Sequence, residues 1–415
     1  MKEQNQPADK KKLHHPPRKR RAHAAMFDPQ RFITDRLRAI DASGIRRVFD
    51  LAAKLDNPVN LSIGQPDFDV PAAVKTAAIN AINNGFNGYT NTQGIDPLRQ
   101  RVRILIGQEL PNWKPADNNG TFETLITSGV SGGLLLAILT CVEPGDEVIL
   151  PDPYFVMYPH LITMAGGKAV FVDTYPDFQF TADLIEPHIT PRTKMLLFSS
   201  PSNPTGVVAS DDTCRQISEL ADQHNLLVLS DEIYNDFCYE KICPHGDSNQ
   251  MLTPSPAFHN DHLLILRGFS KSYAMTGWRL GYAAGPKPII DEMTKLQQYS
   301  FVCAPSMAQL AGVAALDGDI SPFIQQYHAK RDHLVSRLTP TFELATPGGA
   351  FYAFPKVPDH LGLSGSQFIE KAIDRNLLIL PGNVFSNQDT HIRISYSCSD
   401  EELDRGIDIL LELAQ

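Results

Sequence analysis

The stretch Leu226-Leu227-Val228-Leu229-Ser230-Asp231-Glu232-Ile233-Tyr234 decides the fold. Its opening run is apolar at every position, without the alternation of a strand that has one wet face, so it predicts a strand buried on both sides. Met195-Leu196-Leu197-Phe198 has the same character. Strands of this kind belong to a mostly parallel sheet covered by helices. Working outward, β-rich runs alternate with helical ones from about residue 70. The strand candidates are Glu123–Ser128, Glu147–Leu150, Ala169–Asp173, Lys194–Ser199, Leu226–Ser230, Leu263–Arg267 and Leu280–Ala284. The expectation is an α/β protein whose large domain occupies residues 66–314.

After about residue 315 the rhythm changes to a long helix (Pro322–Leu338), short strands and a closing helix from Glu401. That pattern predicts a smaller α+β domain over residues 315–415. Residues 26–65 read as an arm followed by a helix, with Ile45, Val48, Phe49, Ala52 and Leu55 in helical spacing, contributing to the small domain. A chain of 415 residues is too long for one compact core, which agrees with two domains.

Charge is unevenly placed. Residues 1–25 hold eight Lys and Arg against Glu3 and Asp9, so that segment carries +6 and the remainder −16 of a net −10. With almost no apolar residues, the segment is expected to be a disordered basic tail, or to precede a true start at Met26. The run Arg18-Lys19-Arg20-Arg21 also suits a nucleic-acid arm. The acidic body weighs against nucleic acid as the main partner. No apolar run is long enough to span a bilayer, no signal peptide is visible, and the six cysteines lack zinc-type or redox-type spacing. A cytoplasmic protein with reduced thiols, no metal and no membrane partner is expected.

In open α/β sheets ligands sit at the carboxyl ends of the strands. Those ends carry Gly129-Val130-Ser131, Pro153-Tyr154-Phe155, Asn203-Pro204, Asp231 with Tyr234, and Ser270-Lys271. Gly-x-Gly-x-x-Gly, the phosphate-loop motif and His-Glu-x-x-His are all missing, so nucleotides and metals lack their strongest sequence support. The remaining set suits a carbonyl cofactor. A lysine amine condenses with an aldehyde, and pyridoxal phosphate then draws electrons from the substrate's α-carbon. Asp231 could hold the protonated ring nitrogen, while Tyr234 and Asn203 could donate to the ring oxygen. The helix start within Ser128–Gly133 suits a phosphate, and Arg393 on the short strand Ile392–Ser395 suits an α-carboxylate.

From about Ser43 onward the chain resembles a class I aminotransferase of the fold-type-I pyridoxal-phosphate superfamily, aspartate and aromatic aminotransferases included. The carrying segments are Ser62-Ile-Gly-Gln-Pro-Asp-Phe68, Gly88-Tyr-Thr-Asn-Thr-Gln-Gly94, Ser202-Asn-Pro-Thr-Gly206 and Ser230-Asp-Glu-Ile-Tyr234. Ser270-Lys-Ser-Tyr-Ala-Met-Thr-Gly-Trp-Arg-Leu-Gly-Tyr282 and Ile392-Arg-Ile-Ser395 complete them. The resemblance implies that Lys271 is the Schiff-base lysine and proton carrier, with Asp231 and Tyr234 beside it in catalysis. It implies Phe155 stacked on the cofactor, with Val130, Ser131, Ser270 and Arg279 on the phosphate. Tyr89 would reach the partner subunit's phosphate in a homodimer with shared sites. Gly64, Asn203 and Arg393 would line the substrate.

Two positions depart from the pattern. Gly268 stands where many relatives carry a phosphate-binding serine, and Ser131 stands where aspartate-preferring relatives often carry a lysine. The expected activity is therefore transfer of an amino group between an L-amino acid (aromatic, neutral or aspartate) and a 2-oxoacid such as 2-oxoglutarate. A side chain of that kind could pack on Phe68 or Tyr352. A carbon–sulfur β-lyase is the alternative, because the lysine and aspartate serve either reaction. A transcription regulator would need a folded DNA-binding domain, and about 25 residues are too few for one.

Overall fold

The structure is a computed structural model and describes residues 27–40, 55–115, 120–244 and 251–415. The basic tail and most of the expected helix before Leu55 lie outside those residues. Numbering starts with β1, the two-residue strand Val59–Asn60. The large sheet follows with β2 (Phe122–Thr127), β3 (Glu147–Asp152), β4 (Lys168–Asp173), β5 (Thr193–Ser199), β6 (Leu227–Asp231), β7 (Leu264–Gly268) and β8 (Gly281–Pro286).

Its spatial order is β2-β8-β7-β6-β5-β3-β4. Every pairing is parallel except those of β8, which runs antiparallel to both neighbours. The apolar runs behave as period-2 strands between two layers of helices. Met195 and Leu197 join the core on one face, and Leu196 and Phe198 join the core on the other. One face is covered by the helices Gly129–Cys141, Met157–Ala165 and Lys287–Tyr299, through Leu134, Ile138, Leu161, Ile162, Ile290 and Met293. The other is covered by Ala72–Asn83, Asp96–Glu109, Asp211–His224 and Ser306–Ala315, through Val74, Val102, Ile106, Ile217 and Ala311.

The remaining strands are β9 (Tyr352–Ala353), β10 (Leu377–Leu378), β11 (Leu380–Pro381) and β12 (Ile392–Ser395). Antiparallel β11-β12-β9 packs with the helices Ser321–Leu338 and Asp400–Leu413 around a separate core that includes Tyr327, Phe351, Ile394 and Ile407. β1 pairs parallel with β10, which ties the segment before the large sheet to this second unit. The closing helix begins at Asp400, one residue before the expected Glu401, because Ser399 caps it by accepting from Glu402 N at 3.2 Å.

One topological consequence matters for chemistry. The carboxyl ends of β2, β3, β5, β6 and β7 share one edge of the sheet, and the second unit supplies Tyr352 and Arg393 opposite them.

Candidate active site

At that edge lies a cavity of about 340 Å³, walled on the sheet side by Val130, Ser131, Phe155, Asn203, Asp231, Tyr234, Ser270, Lys271 and Arg279. Gly64, Tyr352 and Arg393 close it from the other side. Of the cofactor- and substrate-binding residues that the resemblance implies, all but Tyr89 meet here.

Lys271 sits on the short helical turn Phe269–Ser272 directly after β7. Its Nζ donates to the Gly64 carbonyl at 2.5 Å. Burial, then the Arg393 and Arg279 charges, pull the amine down to about 8, against the opposing pull of Asp231. Asp231 ends β6 and is buried, which lifts its carboxyl to about 6. Tyr158 Oη donates to Asp231 Oδ2 at 2.8 Å and Ile233 N donates to Oδ1 at 3.2 Å, both favouring the charged form. A cation docked against Asp231 would complete what burial withholds.

Arg393 is 2 % exposed and donates to Asn203 Oδ1 at 3.1 Å and to Ser62 O at 2.7 Å. Its Nε is buried with no partner. Its guanidinium carbon lies 4.5 Å from the Tyr352 ring centroid and 4.7 Å from that of Phe385, so two aromatic rings pack on the group. An orphaned donor on a clamped guanidinium is what an incoming carboxylate would satisfy. Tyr234 and Tyr352 hydroxyls are 2.8 Å apart.

The phosphate expectation rests on the helix Gly129–Cys141, whose N-cap residue Ser128 offers no side-chain cap. Gly129 has φ +69°, and a Cβ there would come within 2.7 Å of Arg279 Nη2. The glycine thus both permits the turn and lets a guanidinium reach the helix start. At Gly268 a Cβ would lie 3.1 Å from both Ile233 Cδ1 and Val130 Cγ2, a tight fit against two side-chain ends.

One expectation is corrected. Phe68 does not line the cavity but stacks on Phe323 with ring centroids 3.9 Å apart, half-buried against the core of the second unit. Tyr89, expected at the partner subunit's phosphate, is 88 % exposed and lies outside the cavity of its own chain. Sequence reasoning missed Tyr158, Ser199 and Thr276 as lining residues. Tyr158 lies in the first turn of the helix Met157–Ala165, just after Phe155, and packs edge-on to it with ring centroids 5.5 Å apart.

A buried carboxylate, an uncapped helix start with a guanidinium beside it, and a lysine held near neutrality together fit pyridoxal phosphate and define an enzyme of that cofactor. The chain belongs to the class I and II aminotransferases, whose family model matches residues 56–410. It is 33 % identical over 389 residues to the aromatic-amino-acid aminotransferase 2 of Thermococcus litoralis, covering 91 % of this chain and 96 % of that protein. Identity to the aspartate aminotransferase of Pyrococcus abyssi is also 33 % over 389 residues, with the same coverage. A solved single mutant of Thermus thermophilus aspartate aminotransferase superposes with a TM-score of 0.84 at 31 % identity, covering 92 % of this chain and 99 % of that one. The protein is accordingly a pyridoxal-phosphate-dependent aminotransferase of fold type I. These names lend the β-lyase alternative no support.

Proposed function

We propose that the protein moves amino groups between a broad set of L-amino acids and 2-oxoglutarate or a similar 2-oxoacid, with aromatic and neutral donors at least as good as aspartate. The observation carrying this is the charge inventory of the cavity. Its lining cations are Lys271, Arg279 and Arg393, and each already has a task. Ser131 adds no charge, while Ile63, Leu134, Phe155, Ile233 and Tyr352 give apolar wall. A second carboxylate left unpaired in a dry site costs several kcal/mol.

When bound, pyridoxal phosphate supplies the electron sink that makes the substrate's α-proton removable. The protein's part follows from its own residues. Val130, Ser131, Ser270 and Arg279 would hold the phosphate at the helix start, and Phe155 would stack on the ring. Asp231, kept in place by Tyr158, faces the ring nitrogen as an anion. Tyr234 and Asn203 donate to the ring oxygen. Arg393 takes the substrate's α-carboxylate through its unpartnered Nε edge, beside Gly64. Lys271, its amine pulled down to about 8, would be the residue that bonds the cofactor and would serve as the proton carrier at the substrate's α-carbon.

The working form is a homodimer in the cytoplasm, with Tyr89 of each protomer serving the other's phosphate. Residues 66–314 form the cofactor domain, and residues 315–415 with 26–65 form the smaller one. Among the described residues no helix is long and apolar enough to cross a membrane. The substrate reading is tested by half-reaction kcat/KM values over a panel of amino acids with 2-oxoglutarate as acceptor. Aromatic donors should match or exceed aspartate. An aspartate lead above about a hundredfold, roughly 2.7 kcal/mol in the transition state, would overturn it.

A further inference from the structure

Tyr352 lies on β9, paired with Ser395 two residues beyond Arg393. Its hydroxyl meets that of Tyr234 at 2.8 Å across 118 residues of chain. Both side chains are buried, and their rings pack edge to face with centroids 5.7 Å apart. Among the described residues, each hydroxyl's side-chain partner is the other one. The geometry around the pair is tight. A Cβ on Gly64 would come within 2.4 Å of Tyr352 Oη, so the absence of a side chain at Gly64 makes room for that hydroxyl.

One O–H···O contact between two hydroxyls uses one hydrogen and leaves the other free to point elsewhere. We propose that Tyr352 is a positioning residue which donates to the Tyr234 oxygen, commits the Tyr234 hydrogen to the cofactor's ring oxygen, and so sets the pH at which the lysine-linked cofactor loses its proton. This rests on the reading above that Tyr234 faces the ring oxygen. Linked donors polarise one another, so Tyr234 becomes a stronger donor when Tyr352 donates to it. A stronger donor stabilises negative charge on the ring oxygen, and the neighbouring proton is then released at lower pH.

Other charges face the same groups. Arg393 faces both tyrosines, Asp231 faces Tyr234, and Lys271 feels Arg393, Arg279 and Asp231. Lys271 Nζ also lies 5.6 Å from the Tyr234 ring centroid. Removing only the Tyr352 hydroxyl leaves all of these in place. Burial holds both phenols above their ordinary range, so both remain neutral donors through the working pH.

The test is a pH titration of the visible absorption of the cofactor-loaded protein in the wild type, Tyr352→Phe, Tyr234→Phe and the double variant. Tyr352→Phe should raise the midpoint by about half a pH unit, the scale of a partly lost neutral hydrogen bond. Tyr234→Phe should raise it further, and adding Tyr352→Phe to that variant should change nothing more. An unmoved midpoint in Tyr352→Phe, with Tyr234→Phe shifted, overturns the relay and leaves the role of Tyr234 standing. An equal Tyr352→Phe shift in both backgrounds also overturns it, because the effect would then run through Arg393. No shift in Tyr234→Phe removes both readings. Should Tyr352→Phe fail to load cofactor, Gly64→Ala displaces the same hydroxyl and must raise the midpoint for the relay to stand.

Discussion

At the scale of single residues, Lys271 is an amine held close to neutrality by what surrounds it. Burial strips part of its hydration and two guanidinium groups face it, while one carboxylate pulls the other way. A lysine lowered to about 8 has a substantial unprotonated fraction in the range where an ordinary lysine has almost none. The sign of the pH dependence follows. Bonding to an aldehyde requires the free base, so its rate rises with pH and levels off once the amine is deprotonated. We expect the second-order rate of apo-protein with pyridoxal, whose lack of a phosphate removes a competing ionisation, to inflect near 8. Arg393→Leu removes one of the two facing cations and should move the inflection upward. A wild-type inflection near that of free lysine, about 10.4, would show that the amine is not perturbed. Asp231 is the converse case, a carboxyl raised by burial that needs a cation beside it to stay charged.

At the scale of elements, three separate pieces of chain are tied beneath the site by one buried cation. Arg267 of β7 donates through Nε to Glu232 Oε2 at 2.8 Å, and through Nη1 to Glu109 at the end of the helix Asp96–Glu109. Glu232 also accepts from Ser230 Oγ at 2.8 Å and Ser255 Oγ at 2.6 Å. Because Glu232 adjoins Asp231, this knot fixes the end of β6 from behind. Arg267→Ala leaves buried Glu232 without its cation and takes one partner from Glu109, and denaturant unfolding of the apo-protein should show a loss of about 3–5 kcal/mol. A loss under about 1 kcal/mol would mean that water reaches the carboxylates after all. None of this pairing was legible in the sequence, where Glu109, Glu232 and Arg267 are ordinary charged residues far apart. The strands were legible, because a run such as Leu226–Leu229 has no polar face to hide. Even there the sequence placed Leu226 inside the strand, whereas Asn225 in a left-handed turn ends the preceding helix and β6 starts at Leu227. The cavity's sheet-side residues could be read from successive strand ends. Tyr352 could be named as a candidate wall but its bond to Tyr234 could not, since that contact depends on how two units pack.

At the scale of the whole molecule, the cavity is made by two units of one chain, and the proposed phosphate contact from Tyr89 has to come from a second chain. Tyr89 is 88 % exposed, and Tyr299 at 83 % and Phe301 at 37 % are exposed aromatics as well. Rings of this size stand in water at a cost and are common anchors where chains meet. In a twofold dimer each protomer would give its Tyr89 to the other's site and receive one in return. That reciprocity makes the arrangement testable by mixing two damaged proteins. Lys271→Ala alone leaves no site able to bond the cofactor, and Tyr89→Ala alone weakens the phosphate hold at both sites. In a mixed dimer both defects fall on one site, because the Tyr89→Ala protomer keeps its lysine and receives an intact Tyr89 from its partner. Random exchange of equal amounts makes about half the dimers mixed, each with one whole site of two, so activity at limiting cofactor should recover to about a quarter of wild type. Sedimentation should show a dimer at the same concentrations. Activity that never exceeds the average of the two parents after proven subunit exchange would mean that Tyr89 serves its own chain or none, and each site would then be complete within one protomer.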